Sequence, residues 1–141
     1  METKKPKVLL VDDDEANLRG FRRAFQYDYE IGAVPSGQAA LDLLADDPGW
    51  DLALVDYSMA GMNGLELLHR LQAQYPGIAR FVLTAHADLP EVAAASSSGL
   101  AVAVLMKPWH RDDIAQAVKR ALQLASMRRA VESMKSRLGG P

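Results

Sequence analysis

The chain has 141 residues, 49% of them hydrophobic, enough for a single domain built on one core. Its net charge of −2 supplies no basic field for nucleic acid, and the lack of cysteine excludes disulfides, thiolate catalysis and cysteine zinc sites, as suits a reducing cytoplasm. No apolar run approaches the roughly 20 residues that span a bilayer, and Met1–Lys7 lacks the apolar segment of a signal peptide, so an intracellular protein with no membrane partner is expected.

The first strand is expected over Lys7–Val11, where an apolar run passes straight into Asp12, Asp13, Asp14 and Glu15. In the helix that follows, Leu18, Phe21 and Phe25 fall at i, i+3 and i+7, a stripe for one sheet face, with Arg19, Arg22 and Arg23 largely off it. Asp14 and Glu15 suit the start of that helix, where the dipole favours negative charge. A second strand, Tyr29–Val34, leads to a helix begun by Ser36-Gly37, carrying Ala40, Leu41 and Leu44 and broken at Asp47-Pro48-Gly49. The third strand, Asp51–Asp56, is again apolar and again ends on a carboxylate. Its helix runs from about Gly64 through Leu65, Leu68 and Leu71 and stops before Pro76-Gly77. Ile78–Thr84 is the fourth strand, and the helix after it, Leu89–Ser98, has few large apolar side chains, so weak packing and mobility are expected there. Ala101–Met106 completes five strands alternating with helices, a pattern that implies an α/β fold with a parallel sheet and helices on both faces.

The last helix is longer than one sheet face needs. From Asp112 to about Leu138 it covers roughly 26 residues, or about 39 Å. Ile114, Val118, Ala121 and Leu122 form its sheet-facing stripe, whereas Leu124, Met127, Val131, Met134 and Leu138 are spaced 3, 4, 3 and 4, an a/d heptad seam suited to pairing with a second helix. Gly139-Gly140-Pro141 ends the pattern as a hinge would. The expected organisation is therefore a domain over 1–122 and a helical, coiled-coil extension over 123–141 leading toward an output segment.

If the first and third strands are neighbours, their carboxyl ends bring Asp12, Asp13 and Asp56 to one sheet edge, the edge at which open α/β sheets bind ligands. Crowded carboxylates need a cation, and Mg²⁺ with a phosphoryl group fits an all-oxygen site. Taken with the loop Met59-Ala60-Gly61-Met62-Asn63-Gly64, Thr84 at the end of the fourth strand and Lys107-Pro108 after the fifth, these residues resemble, over about 7–122, the receiver domains of bacterial two-component response regulators. The resemblance implies a flavodoxin-like (βα)5 fold with strand order 2-1-3-4-5. It also implies Asp56 as phosphoacceptor, with Thr84 and Lys107 contacting the phosphoryl group. Mg²⁺ would be held by Asp13 and Asp56, by Asp12 mainly through water and by the Ser58 carbonyl, the donor would be a sensor histidine kinase, and the product a homodimer paired through the last helix and its extension.

Departures from the family pattern are visible. Val104 stands three residues before the lysine where receivers place an aromatic ring, and Ala60 and Asn63 replace the common proline and aspartate. His86, two residues after Thr84, occupies a place that can tune hydrolysis of the acyl phosphate; His69 is expected to be solvated and His110 to start a helix. Lys107-Pro108-Trp109 with Gly99 resembles receivers fused to enhancer-binding transcription activators, including hydrogenase regulators, or to cyclic-di-GMP phosphodiesterases; Trp109 equally suits a cover over the core. Two other readings use the same residues: an interaction module independent of phosphorylation, left room by Val104, and an aspartyl-phosphate phosphatase, which needs a second aspartate where this chain has Ser58.

Overall fold

The computed structural model describes residues 4–139. The glycine-proline end at 140–141 and the first three residues of the amino-terminal segment lie outside the described residues. Ten elements alternate: β1 (Lys7–Val11), α1 (Glu15–Phe25), β2 (Glu30–Val34), α2 (Gly37–Asp46), β3 (Leu52–Asp56), α3 (Gly64–Gln74), β4 (Ala79–Thr84), α4 (Pro90–Ser97), β5 (Ala103–Met106) and α5 (Arg111–Leu138). The strands form one parallel sheet in the order β2-β1-β3-β4-β5.

β1 from Val8 to Val11 and β3 from Leu52 to Val55 are apolar because both of their faces are covered. On one face Val8, Leu10, Leu52, Leu54, Phe81 and Leu83 meet the α1 and α5 stripes. On the other, Leu9, Val11, Ala53, Val55 and Val82 meet α2, α3 and α4. Each fully buried large apolar side chain contributes about 1.5–3 kcal/mol, so this double layer dominates the stability of the domain. Trp109 closes one end of the α1 layer, its ring 5.4 Å from Phe21 and 5.3 Å from Phe25.

Two expectations are corrected. β5 begins at Ala103, two residues later than the apolar run suggests, because Leu100 and Ala101 are buried in the connection from α4 rather than paired. Gly99 adopts φ +83° just past the end of α4, a left-handed conformation that ends helices and that glycine adopts without steric cost. On α5 the buried stripe is Ile114, Ala117, Val118 and Ala121; Leu122 is 40% exposed, because Ala117 holds the i+3 place on the sheet side and Leu122 falls at the edge. Beyond that stripe α5 continues as one helix, with Met127, Val131, Met134 and Leu138 exposed.

Candidate phosphoacceptor site

The carboxyl ends of β1, β3 and β4 and the segment after β5 enclose a cleft of about 250 Å³ lined by Asp12, Asp13, Asp56, Ser58, Thr84 and Lys107 among others. All the residues singled out from the sequence as site candidates meet at this rim. Asp12, Asp56 and Thr84 are the only buried polar or charged side chains among the described residues. Burying such groups is costly unless they are partnered, so their clustering at one edge marks a site rather than a core.

β1 and β3 pair in register from Val8–Leu52 to Val11–Val55, which sets Asp12 and Asp56 side by side one residue further on. Carboxylate oxygens of Asp12, Asp13 and Asp56 come within 4.8 Å of one another. Lys107 Nζ stands 3.3 Å from Asp12 Oδ2 and 3.2 Å from Asp56 Oδ1. One ammonium against three carboxylates leaves the rim negative.

Burial pushes the Asp56 carboxyl above its ordinary value; Lys107 and the Ser58 backbone N–H oppose that rise and Asp12 adds to it. Desolvation works to lower Lys107, yet Asp56 and Asp12 hold it above its ordinary value. Thr84 Oγ1 accepts a 2.9 Å hydrogen bond from the His86 backbone N–H, which ties the hydroxyl to the segment leading into α4. His86 itself is exposed at the cleft, and His69 is exposed on α3. His110 is the N-cap of α5; its backbone N–H donates to Asp113 Oδ2 at 3.2 Å and its carbonyl accepts from the Asp113 N–H at 3.0 Å.

Local structure fixes the nucleophile strand. The Gly64 N–H donates to the Tyr57 carbonyl at 3.1 Å, and a Cβ on Gly64 would lie 2.5 Å from the Asp56 carbonyl oxygen, so only glycine permits α3 to start this close to β3. Asn63 caps α3, accepting from Glu66 N–H at 2.9 Å, and does what an aspartate there would do. The Ala60 N–H donates to Asp13 Oδ2 at 3.2 Å, so the loop clasps the exposed acid. Two further side chains, one lining the cleft and one beside it, are not marked by the sequence pattern. Asn17 donates to Asp12 Oδ2 at 3.1 Å, and Tyr57 Oη donates to Glu91 Oε1 at 2.7 Å. The available signal for Asn17 was its place in the first turn of α1, close to the acids; Tyr57 offered only its adjacency to Asp56.

A family model described as the response regulator receiver domain matches residues 8–119. The chain is 28% identical over 123 residues to the hydrogenase transcriptional regulatory protein HoxA of Cupriavidus necator, covering 87% of this chain and 25% of that protein. It is 34% identical over 125 residues to the transcriptional regulatory protein GlrR of Escherichia coli, covering 87% and 28%. The chain thus spans about a quarter of the length of these relatives. Among solved structures, the signal receiver domain of an HD domain-containing protein from Pseudomonas fluorescens superposes with TM-score 0.81 at 30% identity, covering 92% of this chain and 96% of that one. The fold, the acidic rim and the extent of the match agree, and the chain belongs to the response regulator receiver domain family, signalling domains shared with two-component transcriptional regulators.

Proposed function

We propose that Asp56 accepts a phosphoryl group from the phosphohistidine of a sensor histidine kinase, and that the domain then shifts to a form that pairs with a second copy to control an output, transcription by analogy with its relatives. The observation that carries this reading is the convergence of Asp12, Asp13, Asp56, Thr84 and Lys107 on one cleft. A carboxylate oxygen of Asp56 attacks phosphorus, the bond from phosphorus to the imidazole nitrogen breaks, and the electron pair leaves with the imidazole. Lys107, already beside Asp56, pairs with a phosphoryl oxygen, and Thr84 turns its hydroxyl from the loop to donate to another.

The donor set suits Mg²⁺: three carboxylates close together, hard oxygen ligands only, and too little positive charge to balance them. Asp12, Asp13, Asp56 and the Ser58 carbonyl would hold the ion, which supplies charge neutralisation to the phosphoryl oxygens. The chain's own catalysis is confined to its phosphorylation and dephosphorylation. Because Thr84 is bonded to the segment before α4, its movement biases α4, β5 and α5 toward the form that contacts the phosphoryl group.

Exposure to acetyl phosphate with Mg²⁺ should label one aspartate in the wild type and none in Asp56→Asn. Equal labelling of the two proteins would refute the assignment. Val104 favours a second reading, an interaction module that needs no phosphorylation. Oligomeric state with and without beryllofluoride separates the two, since a phosphoacceptor responds and a passive module does not.

A further inference from the structure

We propose that Asn17 is a positioning residue that sets how Lys107 divides itself between Asp12 and Asp56, a role that rests on the phosphoacceptor reading above. Asn17 is the third residue of α1, and its backbone N–H is capped by Asp14 at 3.3 Å. A polar side chain at that place commonly reaches back to the N-cap backbone. Here the side chain turns to the acids instead, Nδ2 donating to Asp12 Oδ2 at 3.1 Å.

Both oxygens of Asp12 are engaged. Oδ1 accepts from the Asp14 N–H at 2.9 Å, and Oδ2 is shared between Asn17 at 3.1 Å and Lys107 at 3.3 Å. The same ammonium lies 3.2 Å from Asp56 Oδ1, so it stands almost midway between two buried anions. An ammonium in that position moves toward whichever oxygen has more acceptor capacity to spare. The Asn17 amide is a neutral donor that occupies Asp12 Oδ2 without adding charge, and so keeps Lys107 from collapsing onto Asp12. Lys107 stays available to Asp56 and to the incoming phosphoryl group. Asp12 in turn keeps one orientation toward the cation site. Asn17 is only half-buried, between the acidic cleft and a second cleft bounded by Gly20, Pro108 and Trp109, so shortening it leaves the core intact.

The test uses the full chain in four forms: wild type, Asn17→Ala, Lys107→Met and the double variant, with Asn17→Ser as a second replacement that suits a helix start and is too short to reach Asp12. Calorimetry gives the Mg²⁺ dissociation constant, and acetyl phosphate labelling at saturating Mg²⁺ gives a rate. Loss of one hydrogen bond to a charged acceptor should raise the dissociation constant about three- to tenfold and slow labelling about tenfold. In the Lys107→Met background the same substitution should change Mg²⁺ binding by less than about twofold, because the competition it governs is gone. Asn17→Gln, which carries the same amide on a longer arm, should recover part of the loss. A residue that merely starts the helix would lower the thermal midpoint and leave both constants alone. The proposal is overturned if Asn17→Ala and Asn17→Ser bind Mg²⁺ and label as wild type does, or if the defect is the same size with and without Lys107. Absence of label on wild-type Asp56 would instead sink the phosphoacceptor reading, while the Mg²⁺ titration would still report on Asn17.

Discussion

At the scale of single residues, the site is held in a state that is costly without a cation. Asp56 is 5% exposed, with Asp12 and Asp13 close by and only Lys107 to offset them. Its carboxyl lies above the ordinary value because burial disfavours the anion, with Lys107 opposing and Asp12 adding to the rise. The folded state therefore binds the Asp56 proton more tightly than the unfolded chain does. That contribution to stability is fully present below the ordinary carboxylate value of 3.8 and is lost as pH rises through the raised folded value. At neutral pH the ionised Asp56 thus costs stability, and Asp56→Asn should melt higher than wild type without Mg²⁺. A gain of about 2–8 °C is the shift that roughly 1 kcal/mol makes in domains of this general size. The gain should be smaller near pH 4 than at pH 8 and should shrink when Mg²⁺ is added. Calorimetric scans at two pH values, with and without the ion, check this, and a gain that grows toward acid would contradict it. Asp12, Asp13, Asp56, Thr84 and Lys107 were legible in the sequence because each follows or ends an apolar strand. Asn17 was not, because a hydrogen bond from a helix's first turn back to the strand before it depends on side-chain direction, and neither spacing nor periodicity encodes that.

At the scale of elements, α4 is the least anchored helix. It buries only Val92 and Ala95, and its N-cap, Leu89, makes no side-chain bond. The expectation of weak packing came from the same shortage of large apolar residues, so this feature was legible. What the sequence did not reveal is the bond that ties the helix down from the phosphoacceptor side. The Tyr57 backbone is fixed by its N–H to the Leu83 carbonyl at 2.9 Å, and its hydroxyl reaches Glu91 in the first turn of α4. Tyr57, Leu89 and Val104 pack against the same core cluster as Val92 and Ala95. With valine at position 104, the aromatic hydroxyl that contacts this region comes from the end of β3 instead of from β5. Removing that hydroxyl in Tyr57→Phe should loosen α4 while leaving the β-strands protected. Backbone amide exchange in residues 90–97 should accelerate by about two- to tenfold, as local opening becomes easier. Unchanged exchange in α4 would show that the contact restrains nothing. The start of β5 was not legible because Ala101 is as apolar as a strand residue, and burial alone does not distinguish a paired strand from a covered connection.

At the scale of the whole molecule, α5 carries two different surfaces on one continuous helix. Up to Ala121 it buries small and β-branched residues against the sheet; beyond, it exposes Met127 at 63%, Val131 at 51% and Met134 at 57%. Single exposed apolar residues are ordinary, but a row at 3 and 4 spacing covers one face and suits a second copy of the same helix. The charges beside the seam select its direction. With Leu124, Val131 and Leu138 at a and Met127 and Met134 at d, the e places hold Arg128 and Lys135 and the preceding g places hold Gln123 and Ala130. Parallel pairing sets g against e, so Gln123 faces Arg128 and Ala130 faces Lys135, and no like charges meet. Antiparallel pairing sets e against e, bringing Arg128 toward Lys135 of the other copy, and repulsion disfavours it. A parallel pair would deliver both carboxyl ends to the same side. The seam is only two heptads long, so a dimer through it would be weak alone and would need the receiver faces to add to it. Val131→Asp places a carboxylate in the centre of that seam and removes an apolar contact worth about 1.5–3 kcal/mol, so the dimer dissociation constant should rise at least about tenfold. Sedimentation of the beryllofluoride-treated protein measures it, and labelling of Asp56 should not change, because Val131 lies outside the cleft. If Val131→Asp dimerises as wild type does, the tail is a spacer and the pairing surface lies elsewhere.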